Sequence, residues 1–378
     1  MLIETLTETE VEVMRLIPVA SLQAGMKLGK KIYNEDGIIL LSENAELTDA
    51  IIRRLRSHGL DFVYVADPRT DDLVIPEIIE EETQRRALSE IRTNFRKWAT
   101  PSVKNVVYPY LGKAFSGLIE SILDDLSARD DAMIMMMNMN SMDHYLYRHS
   151  LNVCVYTLLL GQLHGYSKDE LTMLGLGALL HDIGKTKLPL ELLTKPSQLT
   201  NEEYEMIKRH PDLGYQMLKD EPGIPLLSAH CAYQHHEKMD GSGYPRGIRG
   251  SEIHEYARWI AITDAYDAMT THRPYRQAML PHLALEVLYT GCGHWYEKSK
   301  LELFRERVAI YPIGMTVRLS TGETGVVSKI PGHMPQRPVV RVLKDPRGED
   351  IRSPYEIDLS AQLSIVIAEV DGMEMVVS

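Results

Sequence analysis

The chain has 378 residues, 44% of them hydrophobic and 25% charged, with a formal net charge of −12. That length suits one large domain with smaller additions, or two to three domains, and the apolar content can bury a sizeable core. The acidic balance argues against a nucleic-acid polymer as the main partner, because no basic stripe is present to neutralise a run of phosphates; a small anionic ligand held by metals stays open. Three cysteines, Cys154, Cys231 and Cys292, show no CxxC spacing, which points away from a zinc ribbon or a disulfide framework and fits a reducing cytoplasm. The acidic stretch from Met1 to Val13 lacks the regions of a signal peptide, and no apolar run is long enough to span a bilayer, so a soluble cytoplasmic protein is expected. Patterned sequence begins at Leu16, which makes Met14 an alternative start.

In chain order, residues 1–70 read as a small α+β module. Ile32-Tyr33, a turn at Asn34-Glu35-Asp36-Gly37 and Ile38 to Leu41 form a hairpin pattern; Thr48 caps a helix from Asp49 to Ser57; Phe62 to Val65 returns as a strand. Nothing catalytic stands out in it, and a docking or dimerisation role is favoured over a ligand sensor. Residues 71–135 read as an amphipathic helical connector broken near Thr100-Pro101, a candidate dimer-forming arm with Glu77, Glu80, Glu81 and Glu82 in its first turns. The methionines between Met133 and Met142 fit adaptable packing better than soft-metal ligation.

Residues 136–310 read as a succession of helices: Tyr145 to His164, a second capped by Ser167 and ending at His181-Asp182, and a third from a Thr200/Glu203 capping box, interrupted at His210-Pro211. Further helices run from Pro225 to His236, Ile253 to Thr270, Pro281 to Thr290 and Glu297 to Ile310, with no Gly-rich phosphate loop. Residues 311–378 change to short alternating segments at 314–319, 325–327 and 338–343, a small β-rich module whose Arg318, Arg337 and Arg341 are expected to solubilise or block edges. The fold class is thus mainly α, an all-helical domain flanked by a small α+β N-terminal module and a small β-rich C-terminal module.

The chemistry concentrates in the helical region. His149, His181, Asp182, His210, His235, His236 and Asp264 place imidazoles and carboxylates inside or beside apolar segments, where unpaired charge is costly and metal ions would compensate. A set without thiolates suits Fe, Mn or Zn in open coordination better than structural zinc, and a carboxylate can bridge two cations. Each of these residues alone is weak; a lone His on a helix is more often a satisfied residue than a ligand.

His181-Asp182 with Lys185 and Pro189, the HHExxDGxGYP string from His235 to Pro245, and Asp264-Ala265-Tyr266-Asp267 followed by Arg273-Pro274-Tyr275-Arg276 closely resemble the HD-GYP subgroup of the HD metal-dependent phosphohydrolase superfamily. The resemblance covers about Tyr145 to Ile310 and implies a bacterial signalling enzyme that opens cyclic di-GMP to linear pGpG, and onward to GMP, by in-line attack of a metal-bridging hydroxide. It implies His149, His181, Asp182 and Asp264 at one metal, with Asp182 bridging, His210 and His235 at the second, and His236 at the second or, as in some members, at a third. Three-metal members of the family have a Glu one turn before the first His; Tyr145 stands there, so two divalent metals, Fe or Mn, are expected.

Within the same resemblance Asp182 and Lys185 carry catalysis, Lys185 offsetting charge on the phosphate, while Gly243, Tyr244, Asp267, Arg273 and Arg276 line the substrate site. Asp267, one turn from Asp264 on the same helix face, alternatively positions a ligand group or orients a lysine. The 240–245 loop is implied to meet a protein partner as well, though a plain turn explains its glycines and proline equally. Competing readings are a phosphodiesterase for another cyclic dinucleotide and a non-catalytic receptor for cyclic di-GMP.

Overall fold

The computed structural model describes residues 15–33, 38–57, 60, 62–70, 72–73, 77–99, 111–128, 145–271, 278–370 and 373–374. The strand Arg15–Pro18 pairs antiparallel with Phe62–Val65, Leu16 opposite Tyr64. Alternate side chains of a strand point to opposite faces, and here each face meets a different core. Ile17, Val63 and Val65 join Val19, Leu28, Ile32 and Leu55 in a local core, while Leu16, Phe62 and Tyr64 enter the main one. That is why all of Phe62–Val65 is buried. The helix Asp49–Ser57 closes the local core, Thr48 Oγ1 accepting from the Ile51 amide at 3.3 Å. Ile32–Tyr33 and Ile39–Leu41 pair antiparallel; their expected turn at 34–37 lies outside the described residues, as does the methionine run at 133–142.

The C-terminal module is a six-stranded antiparallel sheet in the order Met373–Glu374, Ile367–Val370, Thr316–Leu319, Thr324–Lys329, Val339–Lys344, Asp350–Asp358. It is tied to the N-terminal module directly. The Leu16 amide donates to the Gly314 carbonyl at 2.9 Å, Arg341 forks onto Asp72 and also reaches Glu356, and Arg69 bridges Asp67 to Asp350. The arginines expected merely to solubilise the sheet are therefore engaged. Arg318 pairs with Glu369, and Arg337 donates to the carbonyls of Leu359, Gln362 and Ile365.

The connector is not a free arm. Its helices Glu81–Ala99 and Leu111–Ser127 bury Ile91, Phe95, Phe115, Ile119 and Ile122 in the main core, so these apolar side chains are covered within the chain. Tyr145–His164 runs through the middle of the bundle, and every residue from 151 to 160 is buried, as expected of a helix apolar all round. Lys168–Leu180 and Glu255–Thr270 pack against it, and Leu226–Gln234 packs against both of those helices. The sequence break at Pro211 starts a new helix, His210–Leu218, with proline in its first turn where a missing N–H costs nothing.

The end of Lys168–Leu180 carries the central His-Asp pair, and its start is fixed by a capping box in which Ser167 Oγ accepts from the Glu170 amide and Glu170 accepts from the Ser167 amide. Ser167→Ala should lower stability by about 1 kcal/mol, read as a lower urea midpoint with unchanged slope; an unshifted midpoint would show that tertiary packing alone sets this helix start.

Candidate metal centre

Five helix-borne segments bring their polar residues to one buried point. His149 comes from the middle of Tyr145–His164, His181 and Asp182 from the end of Lys168–Leu180, His210 from the first position of His210–Leu218, His235 and His236 from just beyond Leu226–Gln234, and Asp264 from Glu255–Thr270. All but Asp264 and His236 are essentially sealed from water. Asp182 stands at the centre and divides its oxygens. Oδ2 lies 3.6 Å from His149 Nε2 and 3.5 Å from His181 Nε2; Oδ1 lies 3.2 Å from His210 Nε2 and 3.7 Å from His235 Nε2. Asp264 faces the first pair, with Oδ1 at 3.0 Å from His149 Nε2, and His236 with Oδ2, at 3.8 Å from its Nδ1.

A repeated local device aims the rings. His181 Nδ1 meets the Ala178 carbonyl at 2.7 Å, His210 Nδ1 the Ile207 carbonyl at 2.8 Å, and His235 Nδ1 the Ala232 carbonyl at 2.9 Å. In each case the partner is three residues earlier, among the carbonyls that a helix or turn end leaves without a backbone donor. A carbonyl only accepts, so Nδ1 carries the proton and Nε2 presents its lone pair to the centre. His149 uses a side chain instead: its Nδ1 lies 2.6 Å from Asp267 Oδ2, and Asp267 Oδ1 accepts from Asn152 at 2.7 Å.

These contacts give metal-binding capacity its physical test. His181 Nε2 is buried without a hydrogen-bond partner, and the Asp182 carboxylate faces four imidazole nitrogens of which three must be lone pairs. Such an arrangement is costly unless a cation sits among the donors. Three overlapping groups could each hold one: Asp182, His210, His235 and His236; His149, His181 and Asp182; His181, His235 and Asp264.

The electrostatics agree. Burial lowers His210, pushes His235 down to about 4, and with the neighbouring His235 holds His236 well below the usual histidine range, so these rings are neutral at pH 7 and available as ligands. Burial would raise Asp182, but Lys185, whose ammonium is 2.5 Å from Oδ2, leads the groups that keep it ionised and well below the carboxylate range. Asp264 is likewise held low against its burial, chiefly by His149 and His236. His149 is the exception. Burial lowers it, but Asp264 and Asp267 outweigh that and push it up to about 9, a proton that a cation bound at Nε2 would displace.

The loop after the histidine pair is fastened to it. Buried Glu237 accepts from the amides of Arg246 and Ile248 at 2.8 and 3.2 Å, and the Tyr244 amide donates to the His236 carbonyl at 3.2 Å. The bare Cα of Gly243 admits the backbone of residues 236–238, with which a Cβ would collide. Tyr244 stacks on His236, ring centres 4.7 Å apart at 30°. Asp267, also expected at the substrate, is buried with both oxygens engaged by His149 and Asn152, so depth rules out substrate contact and it orients His149. Arg273 and Arg276 lie outside the described residues, as does the side chain of Tyr145. Asn152 and Glu237 were missed. Asn152 could have been found from its i+3 spacing to His149; Glu237 carries no sequence signal beyond its place in the string.

Residues 132–299 match the family model described as HD domain, and residues 316–376 the one described as KOW domain associated with HD domain. The chain is 33% identical over 234 residues to the cyclic di-GMP phosphodiesterase PA4108 of Pseudomonas aeruginosa, an alignment covering 62% of this chain and 56% of that protein. It is 35% identical over 164 residues to the cyclic di-GMP phosphodiesterase response regulator RpfG of Xanthomonas campestris, covering 43% of each. It is 39% identical over 144 residues to the 3′3′-cGAMP-specific phosphodiesterase 3 of Vibrio cholerae, covering 38% of this chain and 31% of that one. The chain thus spans about half, or less, of these relatives' lengths.

Removing the support behind one ring should be felt at the metal. Asp267→Ala should weaken manganese binding about 10- to 100-fold in equilibrium dialysis, with folding kept as judged by circular dichroism. Unchanged affinity would mean that His149 is held by packing alone.

Proposed function

We propose that this chain, whose residues 132–299 match the HD domain family model, is a phosphodiesterase using two divalent metals, Fe or Mn, to open cyclic dinucleotides, with cyclic di-GMP as substrate and linear pGpG as product. The observation that carries the reading is the Asp182 carboxylate, which turns one oxygen to His149 and His181 and the other to His210 and His235. Such a carboxylate suits two adjacent cations. When bound there, a cation pair supplies Lewis acidity, polarising a phosphodiester and making water a competent nucleophile at neutral pH.

The chain's own groups do the rest. The carbonyls of Ala178, Ile207 and Ala232 and the Asp267 carboxylate hold their protons on Nδ1 and so keep Nε2 free for coordination. Lys185, with 15% of its side chain exposed, stands where the sealed centre meets solvent. From there its ammonium neutralises Asp182 and offsets the negative charge that grows on the phosphate oxygens as the bond to the leaving oxygen lengthens. Hydrolysis by water asks for no side-chain nucleophile.

The test is product chromatography after incubating the purified, reduced chain with Mn(II) or Fe(II) and cyclic di-GMP or 3′3′-cGAMP. Conversion of cyclic di-GMP to pGpG, lost in Asp182→Ala, is expected. Intact substrate with metal bound would replace the enzyme by a receptor; faster opening of the mixed dinucleotide, a substrate in the names of three relatives from Vibrio cholerae, would reassign the substrate. Lys185→Ala should cut kcat about 100-fold with metal content unchanged. Loss of metal in that variant would instead make Lys185 a support of the centre.

A further inference from the structure

At the rim of the metal centre a line of side chains runs outward from His236. Tyr244 stacks on His236, Lys208 Nζ lies 5.8 Å from the centre of the Tyr244 ring and 5.5 Å from that of Tyr204, and Tyr204 is 49% exposed. Tyr204 belongs to the helix Asn201–Ile207, which buries none of its side chains. An aromatic ring there is not explained by core packing. The helix is nonetheless held firmly, by the Thr200/Glu203 capping box and by Lys195 on Glu203 at 2.7 Å. Lys208 closes it and stands two residues before His210, so the turn that places a metal-site imidazole also places this ammonium. Its partner Glu205 is 67% exposed, and such a surface pair is weak enough to yield to a better anion.

A phenol face, an ammonium beside it and a second phenol leading to the metal donors match the chemistry of a nucleotide. A purine offers a π-face to the ring, and its phosphate seeks the cation. A cyclic dinucleotide also carries its bases away from the phosphodiester being cut, so a base must lie on the rim when the phosphate is at Asp182. We infer that Tyr204 and Lys208, with Tyr244, form the subsite for the base and adjoining phosphate of one nucleotide half of the substrate. This rests on the phosphodiesterase reading above and assigns substrate contacts to a helix outside the histidine and glycine motifs.

Initial-rate kinetics with cyclic di-GMP on the manganese-loaded full chain, with phosphate binding followed separately, decide it. Tyr204→Ala and Lys208→Ala should each raise KM about tenfold with kcat within about twofold, Tyr204→Phe should behave as the unsubstituted chain, and inorganic phosphate should bind Tyr204→Ala unchanged. An unchanged KM in both alanine variants overturns the subsite. So does a joint fall in kcat and phosphate affinity, which would make the helix a prop for His210, or a defect in Tyr204→Phe equal to that of alanine. If the unsubstituted chain binds cyclic di-GMP without turnover, the enzyme reading fails alone and calorimetric Kd replaces KM in the same comparison; absence of binding overturns both.

Discussion

Everything in the helical domain answers to one buried carboxylate. Asp182 has two oxygens and four imidazoles around it; Lys185 answers Oδ2, but three of the rings hold their hydrogen on the far nitrogen and turn a lone pair toward the carboxylate. The bundle surrounds this centre with apolar helices that exclude water, which raises the cost of leaving it uncompensated and strengthens every interaction inside it. The same exclusion that builds the core thus creates the demand for cations.

Close backbone approaches follow from the same centre. A Cβ at Gly184, two residues after Asp182, would run into the His210 carbonyl and the Gly214 amide, so the turn carrying the shared carboxylate and the helix carrying one of its imidazoles are in backbone contact. Glu237 extends this economy on the other side. Immediately after two histidines of the centre, its carboxylate pins the returning loop, so one short string supplies both donors and the anchor of the surface that lies over them.

Much of this was legible in the chain, and the exceptions are instructive. Helix starts at Ser167, Thr200 and Pro281 are written locally as caps and prolines, and histidines and aspartates set in apolar runs stand out because burial makes them improbable without a shared purpose. Depth is not written that way. One-turn spacing puts Asp267 on the face of Asp264 but does not say that it lies behind His149 rather than at the mouth. An apolar stripe likewise does not name what covers it, so the connector read equally well as an arm or as part of the core. The strand Asp350–Asp358 escaped because it is the sheet's outer edge, mostly exposed and interrupted by Pro354, and an edge wet on both faces keeps no alternation.

The ribbon formed by Arg15–Pro18 and Phe62–Val65 has one face in the N-terminal module and the other toward the sheet, where Leu16 bridges Met315. The N-terminal module and the sheet module of the described chain therefore clasp each other by noncovalent means. Trimming either flank would strand the other with bare hydrocarbon and unanswered charge, so the shortest well-behaved fragment is the one that keeps both.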